Sequence, residues 1–321
     1  MKKSEIVSLT QLRFVAASLV FIAHFRVFDE TLSIIETSWL RNLGNYGVTL
    51  FFILSGFVLA YSYSDASFST VKEKLAFVFN RICKIWPSHV LTFFFAIPLT
   101  YLGGQSAMLK SGFFWIVNLF LLQGWFVELN GFNAPAWTLS CELFFYIMFP
   151  FALPLAKKIG FKSTLSLALL GMLLIYVVSP QASIVENEFS ISLLSHKRFA
   201  PARFFEFLAG MGLHSFYITR SETRRGGGTG ALWGGACLIL GALISFLTLY
   251  ISRSSHTALY GFGAFLVVAG TAFLPPVSLE TRLGRLFHLL GNASFAFYLL
   301  PGVVLCAIRG LFQTAFFTPI R

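Results

Sequence analysis

Gly47-Val48-Thr49-Leu50-Phe51-Phe52-Ile53-Leu54-Ser55-Gly56-Phe57-Val58-Leu59-Ala60 decides the fold. Its apolar residues do not alternate with polar ones, as a barrel strand with one lipid-facing side would require. Val90 to Leu102 reads the same way. Lipid offers no partner to backbone N–H and C=O groups, so a run of this kind must satisfy them internally, as a helix. With its flanks, over 43–63, the first run reaches the roughly 20 residues that cross a hydrocarbon core.

The same criterion marks about ten spans along the chain. They are 9–28, 43–63, 87–102, 112–126, 137–155, 164–178, 204–218, 231–251, 258–274 and 286–308. The third, fourth and sixth are short enough to be tilted, re-entrant or half-length. Composition agrees: 56% of the 321 residues are hydrophobic and only 12% charged, against about 25% charged in a soluble domain. The expectation is an all-α, polytopic membrane helix bundle forming one domain over 1–321, with the Gly-rich stretch 224–230 as a connector.

A net charge of +11 first suggests nucleic acid. The Lys and Arg residues instead occupy short connectors between apolar runs, where membrane topology accounts for them. Most of the 39 Phe residues lie inside those runs rather than interleaved with a basic stripe, so nucleic acid is set aside as a partner. Cys83, Cys141, Cys237 and Cys306 show no ligand spacing, so neither a metal site nor a disulfide framework is implied. Lys2 and Lys3 place the N-terminus in the cytoplasm, and Arg13 interrupts the run that follows, which reads as a retained first span. Asp29, Glu30 and Glu36 suit the far side, and Lys72, Lys74, Arg81 and Lys84 a return to the cytoplasm. If every later segment crosses, Lys157, Lys158, Lys162, Arg220, Arg224 and Arg225 fall outside, against the charge bias. Either a segment within 87–155 is re-entrant or these connectors escape the rule.

A charge near mid-bilayer costs about 2.5–3.5 kcal/mol on insertion scales, which makes each one a functional candidate. Arg13 and His24 are eleven positions apart, on nearly the same face of the first span and separated by about 16 Å along its axis. Arg13 alone can snorkel to headgroups and His24 can hydrogen-bond a neighbouring helix. Together they set a guanidinium near the cytoplasmic entry and a proton-handling imidazole deep inside. Arg81 and Lys84, three apart, share a face if helical and can bind phosphates or anchor the third span. Glu142 lies about one turn into the fifth span and is expected to seek Arg13, His24 or another cation or to remain protonated, unless it forms a structural ion pair locking two helices. Arg203 and Glu206 are spaced to pair with each other. Ser55-Gly56 suits close helix packing. His89, His196, His214, His256 and His288 lack ligand spacing, and no H-E-x-x-H, G-x-S-x-G or Walker pattern occurs.

These residues, in this order, resemble the membrane-bound acyltransferase-3 family of polysaccharide and lipopolysaccharide O-acyltransferases. Leu12-Arg13-Phe14-Val15-Ala16-Ala17 with His24 resembles the family's R-x10-H signature, and Gly47-Val48 through Ser55-Gly56-Phe57 its second-span motif. Trp137-Thr138-Leu139-Ser140-Cys141-Glu142, with Tyr146 and Pro150, is similar to its W-S-L-S-x-E pattern. Arg203-Phe204-Phe205-Glu206-Phe207 with Gly210-Met211, and Gly291-Asn292-Ala293-Ser294-Phe295 with Tyr298-Leu299-Leu300, match later motifs. The chain departs at Lys84, where the family usually repeats Arg, and at Pro301, where the last motif usually ends in His.

The resemblance implies an inner-membrane enzyme using acyl-CoA, with acetyl-CoA as the expected donor and no metal. Arg13, Arg81 and Lys84 would hold the CoA phosphates, His24 would act as base with Glu142 and Arg13 in the catalytic set, and Trp137, Ser140, Tyr298 and Asn292 would contact substrate. The acceptor would be a glycan or lipid-linked saccharide such as exopolysaccharide or lipopolysaccharide. Its partners would be the bilayer and either a second copy or polysaccharide-assembly proteins. No esterase-like domain accompanies the membrane domain in this sequence, so transfer is expected to finish there or on a separate partner. A transporter or flippase using the same polar residues is the competing reading, and it gives no reason to cleave a thioester. A scaffold in an export complex would not need His24.

Overall fold

The computed structural model describes residues 5–24, 38–102, 109–126, 132–182, 198–223, 229–251 and 257–316, and among these the regular structure is helical throughout. In chain order the helices are α1 (Val7–His24), α2 (Ser38–Ser62), α3 (Val71–Leu102), α4 (Gly112–Leu119) and α5 (Trp137–Ala182). They continue as α6 (Ala200–Thr223), α7 (Thr229–Ile251), α8 (Thr257–Phe273), α9 (Arg282–Asn292) and α10 (Ser294–Phe316). Asp29, Glu30, Glu36, Arg224, Arg225, His196 and His256 fall outside the described residues.

Five helices among the described residues are long and apolar enough to cross a membrane, or six if the bent pair α9 and α10, which meet at 64°, forms one span. The described residues do not confirm the expected count of about ten, for local reasons. α4 has 8 residues, half a crossing at most. α6 carries Arg203, Glu206 and Arg220, and the apolar stretch of α8 ends short. The fifth and sixth expected spans join in α5, whose 46 residues would extend about 69 Å if straight. They do not run straight, because Gly160 adopts φ 79°, ψ 168°. That positive φ is open to glycine and breaks the rod into two stretches. The third span begins earlier than expected: α3 starts at Val71 and carries Pro87 in its interior, so the basic stretch read as a connector is helical.

α2 is the central helix, packed against α1, α6 and α8, while α5 packs on α6 and α7 on α8. Close approach sets its place. A Cβ on Gly56 would lie 1.9 Å from the Phe207 carbonyl oxygen, and one on Gly210 would lie 2.0 Å from that of Ile53. Backbones therefore touch where α2 meets α6, the small-residue contact that holds helices together in lipid. α1 and α2 run antiparallel, with Gly44 against Ala23, Gly47 against Ala16 and Val20, and Arg13 at the level of Val58.

Two buried polar networks fix the surroundings. Arg203 donates to Glu206 at 2.7 Å and to Thr49 at 2.9 Å, and its guanidinium lies 5.1 Å from the Phe52 ring centre. This is the pairing the i, i+3 spacing predicts, and it serves packing. Gln11, inside α1, donates Nε2–H to the Val277 carbonyl at 2.8 Å and accepts from the Val277 N–H at 2.9 Å. It ties the turn before α9 to α1.

Candidate active site

Arg13 stands where three cavities meet. The largest, about 410 Å³, is lined by Arg13, Arg81 and Lys84 together with Ser55, Ser62, Asn80 and Tyr146. Its described walls carry three cations and no carboxylate, which suits a polyanion. Arg81 is preset: it donates to the Tyr63 hydroxyl at 2.8 Å, with its guanidinium 5.2 Å from the Tyr63 ring centre and 5.5 Å from that of Phe77. Lys84, one turn on, reaches solvent. Helix α3 therefore supplies the shared face that the spacing of Arg81 and Lys84 implies.

Below Arg13 the second cavity narrows to a slot of about 40 Å³, room for roughly three water-sized atoms. Val48, Phe51, Phe52, Leu139, Phe295 and Tyr298 wall it, with Glu142, Thr138, Ser55 and Ser294 as its polar groups beside Arg13. Glu142 Oε2 accepts from the Tyr146 hydroxyl at 3.1 Å and lies within electrostatic reach of Arg13, Lys84 and Arg81. The carboxylate thus meets the cations it was expected to seek. Phe52 is locked between Trp137, Phe145 and Arg203, so this wall is rigid.

His24 ends α1 and is half-buried, with Nδ1 2.7 Å from the Val20 carbonyl oxygen. A carbonyl only accepts, so Nδ1 carries the hydrogen and neutral His24 presents a lone pair at Nε2. The ring is not on the walls of the three cavities around Arg13. Val20 packs on Gly47, next to Val48 at the deep end of the slot. His24 therefore lies about one turn, roughly 6 Å, beyond that end.

The family model described as an acyltransferase domain, acyltransferase-3, matches residues 6–320. The chain belongs to the acyltransferase-3 family. The acyltransferase MdmB of Streptomyces mycarofaciens is 30% identical over 316 residues, covering 93% of this chain and 78% of that one. No solved structure matches the chain. A chain of this family with five candidate spans among its described, helical residues is a multi-pass membrane acyltransferase.

The acyltransferase does not gather every expected residue at the cavities. Tyr298 lines the slot, its hydroxyl donating to the Pro135 carbonyl at 3.3 Å. Trp137 stands behind the slot wall, edge-on to Phe52. Ser140 is 1% exposed, and its Oγ accepts the Gly124 N–H at 3.0 Å, which holds the preceding turn. Asn292 is exposed at the end of α9, 3.3 Å from His288 Nε2. That side chain stands apart from the slot, in a group with His288, Glu5 and Thr10. Sequence reasoning missed Tyr63, Phe51 and Phe295. An aromatic closing an apolar span, shortly before a basic helix, was the available signal for Tyr63; Phe51 and Phe295 stood inside the quoted motifs with nothing to set their rings apart.

Proposed function

We propose that the protein is an acyl-CoA-dependent O-acyltransferase of the inner membrane, N-terminus cytoplasmic, moving an acetyl group to a hydroxyl of a glycan or lipid-linked sugar. One observation carries the reading: a chamber with three cations shares Arg13 with a narrow apolar slot that holds a carboxylate, and His24 lies about one helical turn further along α1 than the slot's deep end. Acyl-CoA has the matching order of parts, with phosphates at one end, a thin pantetheine arm and a thioester at the tip.

The phosphates sit among Arg81, Lys84 and Arg13, and the arm, entering a slot that must widen beyond about 40 Å³ to take it, runs toward His24. The axial separation of about 16 Å between Arg13 and His24 is comparable to that arm. At the tip the acceptor oxygen attacks the thioester carbonyl carbon, so that a C–O bond forms and the C–S bond breaks. The hydroxyl proton passes to His24 Nε2 and then to the departing sulfur, leaving an ester and free CoA. Glu142, held by Tyr146, balances the cations beside the arm, and Tyr298 shapes the slot. Ser140 and Trp137 support this region from behind.

The test is CoA release from acetyl-CoA by purified protein with a saccharide acceptor, with mass spectrometry of cell-surface glycans from cells with and without the intact gene. Free thiol and a missing acetyl group in the deleted strain are expected. An unchanged acyl inventory and an intact thioester would remove the proposal.

A further inference from the structure

The third cavity at Arg13 differs in chemistry from the cationic chamber beside it. It measures about 160 Å³ and is lined by Glu5, Ile6, Thr10, Arg13, Phe57, Val58, Tyr61 and Ser62. Arg13, Val58 and Ser62 belong to both walls, so one bound molecule can occupy both spaces. Where the charged groups of the chamber are cations alone, this cavity sets the Glu5 carboxylate and the Tyr61 phenol beside Arg13, with Ile6, Phe57 and Val58 as apolar lining. Glu5 sits at its rim, partly exposed, with one oxygen accepting from Thr10 and the other 3.8 Å from His288 Nε2. The carboxylate offers lone pairs to a further donor.

We infer that this cavity is the nucleobase subsite of the donor, taking a purine ring between Tyr61 and the Ile6–Val58 side with its exocyclic amine directed to Glu5. The inference rests on the acyl-CoA reading above and extends it to residues that reading does not use. Size fits: at about 10–15 Å³ for each water-sized atom, 160 Å³ admits the ten heavy atoms of a purine. Charge fits as well. Glu5 repels phosphate, so its side of the cavity sorts the neutral, amine-bearing end of the molecule from the anionic end, which Arg81, Lys84 and Arg13 take. Tyr61 lines the cavity, its ring also meeting His214 edge-on with centroids 5.9 Å apart, and supplies an aromatic surface, the sequence-tolerant platform on which bases stack.

The experiment compares two donors in the purified full-length protein: acetyl-CoA and S-acetyl-4′-phosphopantetheine, which lacks the nucleotide. The readout is the ratio of their kcat/KM values. Tyr61→Ala and, independently, Glu5→Ala should each lower the ratio at least about fivefold, the low end of what loss of one base-stacking contact costs. Tyr61→Phe should restore it. Glu5 is exposed, so its variant carries the test should Tyr61→Ala fail to fold. A ratio unchanged in the Glu5 variant, or a defect confined to KM for the acceptor, overturns the subsite. Wild-type protein that releases thiol from neither donor overturns the acyl-CoA reading, and the subsite with it.

Discussion

His24 donates one ring hydrogen to its own helix, which leaves Nε2 as the basic atom. Replacing it with Ala or Gln should lower kcat about 10²–10⁴-fold while the protein still inserts, measured as CoA release per mole of folded enzyme. Wild-type turnover in both variants would remove it as the base. Arg81 is held by Tyr63 and by two aromatic faces. Arg81→Ala should raise KM for acetyl-CoA about tenfold or more, since charge-assisted contacts contribute about 1.5–3 kcal/mol. Arg203→Ala leaves Glu206 buried without its partner and should cost about 3–5 kcal/mol in stability, read by unfolding in detergent. The charged members of the site were legible because a lipid-embedded charge must have a reason to be there. Phe51 and Phe295 were not, because in a chain with 39 Phe residues a cavity-lining ring and a lipid-facing ring look alike.

At the scale of the element, two glycines act in opposite ways. Gly56 is placed by contact: the atoms of Phe207 occupy the space a side chain needs. Gly56→Ala should therefore push α2 from α6 and destabilise by about 1–3 kcal/mol or more. Gly160 is placed by backbone angle alone, with nothing within 4 Å of where its Cβ would be. Gly160→Ala should cost about 1–2 kcal/mol through its positive φ without disturbing any neighbour. Unfolding midpoints of the two variants, with CoA release from the refolded protein, separate these causes. Both glycines stood in the sequence, yet only the packing role of Gly56 was readable, from Ser55-Gly56 in an apolar run. The break at Gly160 depends on a dihedral angle no composition reveals, and the early start of α3 hid because a basic amphipathic turn reads as a connector when only apolar length is counted.

Over the whole molecule, the physical account reduces to an order of parts along one path. A cationic chamber, a lateral cavity bearing Glu5 and a narrow aromatic slot adjoin the first helix at Arg13, which belongs to all three, and His24 lies about one turn further along that helix than the slot's deep end. The membrane class and the family were legible from end to end because the motifs occur in order. The number of crossings was not, since length and hydropathy cannot tell a bent or half-length helix from a full span. The most direct measurement is equilibrium binding of radiolabelled acetyl-CoA to the full-length protein in lipid nanodiscs, comparing wild type with an Arg81→Ala, Lys84→Ala double variant across a salt series. Saturable binding that weakens at least about tenfold in the variant and loses much of its salt dependence is predicted. Equal affinity and equal salt dependence in the two proteins would contradict the account.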